Sequence, residues 1–390
     1  MKLLYFSPDS YGGIADYAHE QANALVDLGV EVTFLCSPQY PTGRGEKYTI
    51  VPILKDIKPE QNIKNKFLKK IHFGQVLLGN FTKLANYIEE HKFQNVLLGS
   101  YTEYLAPFWS NKFQTLAQNG VIFGAIVHDP VRNFVVGPLW WHRWSIACGY
   151  SFIRESFVHE AIELDTVKPI ANMNTTVISH GVYNFSNLQE SIAEIRGKLN
   201  LPMDAKVMLA FGHIRDNKNL DLVIRAMTHF PDLYLVVAGK EQSSKQKPIR
   251  FYQELAESLE IGHRCRWVIK FIPEADVANL FTSADLAVLT YSKHFYSASG
   301  VLNTAISYSK PCIASAGDSS LKSVVHKYNL GVWVEPDNLD ALVKGIKEWV
   351  DNPPHPQWQK YLQDNSWNKN AKSVINNFMK SSCNDGILID

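Results

Sequence analysis

Cysteine is scarce: there are five in 390 residues, at Cys36, Cys148, Cys265, Cys312 and Cys383, odd in number and never spaced Cys-x-x-Cys. That excludes a disulfide-framed domain or a thiolate zinc site, and the five are expected to be reduced core residues of a cytosolic protein. No Asp-x-Asp pair occurs anywhere in the chain, so a metal-bridged phosphate would lack its clustered oxygen ligands and no metal is expected. An excess of one charge is missing too. With 39 basic and 38 acidic residues the net charge is +1, which excludes a general field for nucleic acid and confines anion binding to local clusters. No apolar run approaches the roughly 18 residues that a membrane-crossing helix needs. The opening MKLLYFSPDSYGG turns polar after a short apolar run and resembles a first β-strand more than a signal peptide. A Gly-x-Gly-x-x-Gly run is also absent from the first strand–loop–helix unit, which leaves a dinucleotide site poorly supported.

What is present is an ordinary globular composition, 46% hydrophobic and 20% charged, in a chain long enough for two domains of roughly 150–200 residues each. Leu3-Leu4-Tyr5-Phe6 is a strand candidate, followed by the Gly12-Gly13 turn and then by Ala15, Ala18, Ala22, Leu25 and Leu28 on one helical face that stops at Gly29. Val30–Leu35 is the next strand, with further strands at Asn95–Gly99, Val121–Val127, Phe152–Val158 and Thr176–Ser179. Strands alternating with helical stretches predict an α/β fold of parallel, doubly wound Rossmann-like sheets. Three histidines follow strand ends: His128-Asp129 after Val127, His159-Glu160 after Val158 and His180-Gly181 after Ser179. Each alone reads more simply as a structural hydrogen bonder, but their common place at sheet ends points to a cleft.

Two surface-active stretches stand out in this half. In KDIKPEQNIKNKFLKK, residues 55–70, Lys64, Lys66, Lys69 and Lys70 surround Ile63, Phe67, Leu68 and Ile71. Such a segment either lies on an anionic membrane face or is a solvated helix face. Residues 138–144, PLWWHRW, pack three tryptophans with Arg143; they fit an interfacial belt, an acceptor-stacking wall or, as the favoured reading, core.

A helix predicted over Leu188–Leu199 and ending at Leu201-Pro202 suits an inter-domain connection. The second half then repeats the alternation. Val207–Phe211 is a strand, Gly212 a turn, and His213 to Asn219 a polar loop before a helix faced by Leu220, Val223, Ile224 and Met227. Arg215 and Lys218, three residues apart in a strand-end loop, can neutralise a diphosphate, the arginine as a fork and the lysine as a point charge; the alternative is plain surface charge. Leu233–Ala238 followed by Gly239-Lys240-Glu241 repeats the theme, as do Arg266–Phe271 and Leu286–Tyr291. Ser299-Gly300 opens a helix faced by Val301, Leu302, Ala305 and Ile306, and after Ser309-Lys310-Pro311 comes a buried strand, Cys312-Ile313-Ala314. Unpaired amides and the positive dipole end at that helix start form a seat for a phosphate, or simply an N-cap. Trp358, Tyr361, Leu362, Trp367, Ala371, Val374, Ile375 and Phe378 mark a helical tail that should dock.

With these residues in view, the chain resembles the GT-B glycosyltransferases, and among them the family-4-type enzymes that retain anomeric configuration. The resemblance rests on Gly12-Gly13, His128-Asp129, Val158-His159-Glu160, His180-Gly181-Val182, Phe211-Gly212-x-x-Arg215-x-x-Lys218, Phe271-Ile272-Pro273, Ser299-Gly300-Val301-Leu302 and Lys310-Pro311, in that order along nearly the whole chain. Two glutamates that many members carry would fall at Tyr296 and Thr304, so the chain looks like a subgroup without them; Ser309 stands where glycine is usual.

The resemblance implies two Rossmann-like domains facing across a cleft, with residues 1–185 binding the acceptor, 186–355 binding a nucleotide-sugar and 356–390 forming a helical tail on the first domain. It implies donor contacts at Gly12, Gly13, Gly212, Gly239, Lys240, Ser299, Gly300, Val301 and Leu302, and catalytic roles for His128, Arg215 and Lys218. Asp129, His159, Glu160 and His180 would line the acceptor side. The expected activity is metal-independent, retaining sugar transfer from a nucleotide-sugar to a glycan or lipid-linked acceptor, in polysaccharide or glycoconjugate biosynthesis. The protein would be cytoplasmic, peripheral at the inner membrane face, with no nucleic-acid partner. The leaving phosphate itself would take the acceptor's proton. Two alternatives stay open: a nucleotide-sugar epimerase of the same fold, and a non-catalytic nucleotide-sugar-binding partner subunit.

Overall fold

A computed structural model of the chain describes residues 1–56, 65–128, 135, 137–159, 163–170, 172–183, 190–241, 246–296 and 299–384. In chain order the first unit contains β1 (Lys2–Phe6), α1 (Gly13–Asp27), β2 (Glu31–Leu35), β3 (Thr49–Val51), α2 (Lys66–His91), β4 (Asn95–Leu98), α3 (Ala106–Gln118), β5 (Ile122–Ile126), α4 (Leu139–Tyr150), β6 (Glu155–Val158) and β7 (Asn174–Val177). The second contains α5 (Ile192–Lys198), β8 (Lys206–Phe211), α6 (Leu220–Ala226), β9 (Leu233–Ala238), α7 (Ile249–Ser258), β10 (Cys265–Val268), α8 (Glu274–Ser283), β11 (Leu286–Thr290), α9 (Gly300–Ser307), β12 (Cys312–Ser315), α10 (Ser320–Lys327), β13 (Gly331–Trp333), α11 (Leu339–Asp351) and α12 (Trp358–Asp364). The final helix, α13 (Trp367–Asn384), returns to the first unit, so that unit comprises Met1–Gly181 with Asp364–Asp390, and the second Val182–Gln363.

Each unit is built on one parallel sheet. The first has seven strands in the order β3-β2-β1-β4-β5-β6-β7 and the second six in the order β10-β9-β8-β11-β12-β13. Counted from the first strand of each unit, both begin 3-2-1-4-5-6, the doubly wound order in which ligands sit beyond the carboxyl ends of the strands flanking the reversal. That switch point lies between β1 and β4 in the first unit and between β8 and β11 in the second.

Helices cover the sheets because their apolar faces match. Over one face of the first sheet, α2 and α3 place Phe81 and Trp109 in a stack with centroids 3.8 Å apart, inside a core that also holds Leu4, Phe6, Val96 and Phe123. On the other face α1 packs with α13. Gly124 of β5 lets α13 approach, since a Cβ there would lie 2.7 Å from the Phe378 ring, and Ser381 donates to Glu155 Oε1 at 2.5 Å. In the second unit Leu220, Val223, Ile224 and Met227 are all buried, as the helical spacing requires. Arg196 is buried as well, its guanidinium donating to the carbonyls of Ser283, Met203 and Ala205 and to Asp285. A charge so placed needs this many partners to stay inside.

Several expectations shift. The helix expected over 188–199 is α5, which starts at Ile192 with Ser191 and Glu194 forming a reciprocal capping box. Strands β3 and β13, three residues each, are too short to show a period. The 138–144 cluster is not core: Trp140 is 65% and Trp144 49% exposed. Of the cysteines Cys36, Cys265 and Cys312 are buried, whereas Cys148 is half-buried and Cys383 exposed near the end of α13. Phe271 lies beyond β10 and is exposed. Lys64 and Ile63 lie outside the described residues, and α2 begins only at Lys66.

Candidate functional site

In the second unit the loops after β8 and β11 meet at the switch point. Gly212 leaves β8 with φ +89, and Gly239 leaves β9 with φ +151, a region open to glycine. A Cβ on Gly239 would sit 2.0 Å from the Gly212 carbonyl oxygen, so the two turns are closely pressed. Asp216–Lys218 forms a single 3₁₀ turn. It is stitched to β11: Thr290 Oγ1 donates to the Lys218 carbonyl at 2.8 Å, and Ser292 N donates to Asn217 O at 2.8 Å.

This backbone turns basic side chains into one hollow, lined by Gly212, His213, Arg215, Lys218 and Thr290. The Lys218 ammonium donates to Phe211 O at 2.7 Å. Burial first, then the Arg215 charge, lowers its pKa to about 8. The Nε of Arg215 is buried without a hydrogen-bond partner, an unusual cost for a guanidinium and one that an anion would relieve. His213 has its pKa lowered by burial and then by Arg215, Lys218 and Lys240, which puts three basic side chains in electrostatic reach of one imidazole.

The start of α9 belongs to the same neighbourhood. Ser299 is its N-cap, its Oγ accepting from Leu302 N at 3.2 Å and lying 2.8 Å from the Tyr291 hydroxyl. Burial pushes the Tyr291 phenol up to about 12 while the Ser299 hydrogen bond and the Arg215 charge pull it down, and Tyr291 stacks on Phe295 at 3.9 Å. Val301 Cγ2 would lie 3.6 Å from a Cβ on Gly212, beside Lys218 Nζ at 3.3 Å. Arg215, Lys218, Gly212, Ser299 and Val301 are thus brought together, while a Cβ on Gly300 would meet nothing within 4 Å. Leu302 is buried in the helix face and packs into the core, and its N–H is already taken by the Ser299 cap, so the amides of Gly300 and Val301 are the ones at the helix start. Lys240 is exposed on the strand-end loop. At the positions where the resembling enzymes carry glutamates, Tyr296 is 53% exposed and Thr304 is buried, donating to Gly300 O at 3.1 Å. Ser309 has φ +51, a left-handed turn after α9 that explains why glycine would suit it.

In the first unit the three strand-end histidines do converge, around a residue the sequence did not single out. The Tyr17 ring lies 4.9 Å from His128, 5.1 Å from His159 and 5.2 Å from His180, edge-on in each case, and 4.9 Å from Trp367 of α13. His128 donates from Nε2 to the carbonyl of Gly99, at the end of β4 beside the switch point, at 3.2 Å. His159 Nδ1 donates to Ile178 O at 3.3 Å, and its Nε2 is buried without a partner. Burial holds His159 well below the usual histidine range and His180 down at about 4, with the neighbouring imidazoles adding to the effect. These two rings are neutral near neutral pH. Asn370 of α13 donates to the Tyr17 hydroxyl at 2.8 Å and to Ser179 O at 2.7 Å, and accepts from Gln21 Nε2 at 2.6 Å. Tyr17 and Gln21, four residues apart on a helix that also buries four alanines, His19 and Leu25, were the available sequence signal.

Gly12 caps α1 with φ +81, and a Cβ on Gly12 or Gly13 would meet open space. Asp129 and Glu160 lie outside the described residues. Among the described residues no group of three or more His, Cys, Asp or Glu is placed to hold a metal ion. Two larger recesses, about 820 and 800 Å³, lie in the first unit at the amino-terminal edge of its sheet, near Met1, Asn95 and Ile122 and near Val121 and Ile153. Doubly wound sheets bind at the opposite edge, so size does not select the site.

Two parallel sheets with this shared order, each with a polar cluster beyond the carboxyl ends of its strands, define the GT-B class of fold. Comparison with known proteins agrees. Residues 191–374 match the family model for Glycosyl transferases group 1. A D-inositol 3-phosphate glycosyltransferase of Mycobacterium bovis (strain BCG / Pasteur 1173P2) is 30% identical over 161 residues, 38% of this chain and 32% of that protein; the chain thus spans about a third of the length of the curated relatives it matches. Among solved structures, a glycosyltransferase from Rickettsia africae ESF-5 superposes with a TM-score of 0.68 at 16% identity, covering 97% of this chain and 98% of that one. Anabaena Alr3699/HepE in complex with UDP gives a TM-score of 0.66 at 13% identity, covering 97% and 100%.

Proposed function

We propose that the protein is a glycosyltransferase that moves a sugar from a nucleotide-sugar donor to a glycan or lipid-linked acceptor. The observation that carries this reading is the second unit's hollow, where Lys218 and the unpartnered Arg215 Nε converge beside the capped start of α9. Breaking a sugar–phosphate bond develops negative charge on the departing diphosphate, and preorganised cations and amides in a partly dry site stabilise that charge most in the transition state. Arg215, Lys218 and the α9 amides do this work, with Lys240 at the rim. Arg215, Lys218 and Lys240 supply the neutralisation that a metal would otherwise bring, which supports a metal-independent reaction.

His128 faces the reacting sugar and hydrogen-bonds a hydroxyl; the leaving phosphate takes the acceptor's proton, so configuration is retained. The second unit holds the donor and the first the acceptor. The UDP complexes of the Anabaena protein support a uridine nucleotide as the first donor to test. The pathway is polysaccharide or glycoconjugate synthesis, with the protein cytoplasmic and peripheral at the inner membrane face.

A thermal-shift series with UDP, GDP, ADP and their sugars tests the seat, because a ligand at 100 times its Kd stabilises by about 2.7 kcal/mol. A shift with one nucleoside diphosphate, lost in Arg215→Ala, is expected. No shift with any of them overturns the reading. Donor turned into an isomer without release of nucleoside diphosphate identifies an epimerase instead, and binding with no turnover across an acceptor panel identifies a non-catalytic subunit.

A further inference from the structure

The first unit exposes large apolar side chains where three helices meet. Phe108 of α3 is 68% exposed, and Leu139, Trp140 and Trp144 of α4 are 51%, 65% and 49% exposed. The Phe108 ring lies 5.7 Å from Trp141, which in turn contacts Trp140 at 5.9 Å and Trp144 at 5.5 Å, so α3 and α4 share one aromatic surface. The early turns of α2 adjoin it: Phe73 packs on Tyr104 at 6.0 Å, and a Cβ on Gly74 would lie 3.3 Å from Leu105, three residues before Phe108. Within the two preceding turns of α2, Leu68 and Ile71 are also exposed, at 53% and 42%. Scattered surface apolar residues need no explanation, but a contiguous aromatic set does.

Charge says what covers it. Residues 66–88 of α2, all of α3 and all of α4 contain no aspartate or glutamate, while Lys69, Lys70 and Arg143 are at least partly exposed. In a chain balanced at 39 basic to 38 acidic residues, three adjoining helical stretches free of acid form a locally cationic face. Tryptophans that keep one polar edge, beside lysine and arginine, match the headgroup layer of a bilayer, where aromatic rings partition and basic side chains meet anionic lipid. Among the described residues no helix is long and apolar enough to cross a membrane, so attachment here lies along the surface.

We infer that Phe108, Leu139, Trp140 and Trp144, flanked by Leu68, Ile71, Lys69, Lys70 and Arg143, form a docking face for an anionic lipid bilayer. This gives the peripheral location a specific surface, and it does not depend on the sugar-transfer chemistry.

The full chain is floated with phosphatidylcholine vesicles made with or without phosphatidylglycerol. Binding to the phosphatidylglycerol vesicles alone is expected, with a blue shift of tryptophan fluorescence and quenching by brominated lipid. Lys69→Gln, Lys70→Gln and Arg143→Gln together should lower partitioning by roughly fivefold per cation, and Phe108→Ala with Trp140→Ala and Trp144→Ala should remove it. Circular dichroism and Tm check that the variants fold, and UDP binding should be unchanged in both, which separates this inference from the donor site. No flotation of the native chain, flotation unaffected by the aromatic triple variant, or a stable dimer that hides the tryptophans from lipid overturns it.

Discussion

Both polar clusters lie beyond the carboxyl ends of parallel strands, one after the strands that flank the reversal of the second sheet and one mainly after β5, β6 and β7 of the first, yet their chemistry is opposite. In the second unit arginine and lysine crowd a small hollow, leaving one guanidinium nitrogen unsatisfied. In the first unit three imidazoles close around a buried tyrosine, and the two whose titration is displaced are held neutral. One topology therefore supplies either a seat for concentrated negative charge or a set of neutral hydrogen-bonding rings suited to hydroxyl groups. The choice lies in a few loop residues, not in the sheet.

The largest effect that sharpens this contrast comes from Arg215→Ala with Lys218→Ala. Each lost hydrogen bond from a charge costs about 1.5–3 kcal/mol, so transfer should fall by at least a hundredfold and the nucleotide thermal shift should vanish, with the fold intact. His128→Ala is the matching change in the first unit; it should cut turnover while leaving that thermal shift in place. Should the double variant still turn over, the assignment of the anion seat is wrong.

Next comes packing. Gly239→Ala forces a Cβ against the Gly212 carbonyl at a φ of +151, and should cost about 3 kcal/mol in chemical denaturation. Gly124→Ala in the first unit meets the Phe378 ring, a side chain and not backbone, at a φ that suits alanine, and should cost less.

Acid should then separate the units. His180 falls from its ordinary 6.5 to about 4 on folding, so the unfolded chain binds the extra proton between those values. Stability is therefore lost as pH falls from 6.5 toward 4, by up to roughly 3 kcal/mol for this group. Amide exchange followed against pH should show the first unit loosening before the second, and His180→Asn should narrow the gap. Equal acid sensitivity of both units would contradict the buried-neutral description.

The smallest effect runs the other way in pH. Lys218 titrates near 8, so nucleotide affinity should decline above that value, by at most about tenfold per pH unit. Lys218→Arg, which keeps its charge, should flatten the profile in a calorimetric titration.

Much of this was legible in the sequence because it lay in local pattern. The Gly212–Lys218 loop, the Ser299-Gly300 cap and the strand-end histidines all follow from short motifs at predictable strand ends. Tyr17, Gln21 and Asn370 were not legible as a set, because residues some 350 positions apart meet only after α13 has docked. The tryptophans of α4 were misread as core, since an aromatic cluster carries no sign of which side faces water. Nor does sequence show that Arg196 is a buried clamp while Arg215 is left unsatisfied; both are arginines near turns, and only their carbonyl surroundings differ.

The excursion of the chain through Val182–Gln363 before α13 returns to the first sheet has a bearing on biosynthesis. A ribosome releases the middle segment with all six of its strands while the opening 181 residues still lack Asn370 and Phe378, the groups that finish their interior. The portion made first therefore cannot complete its interior until the final helix has been translated.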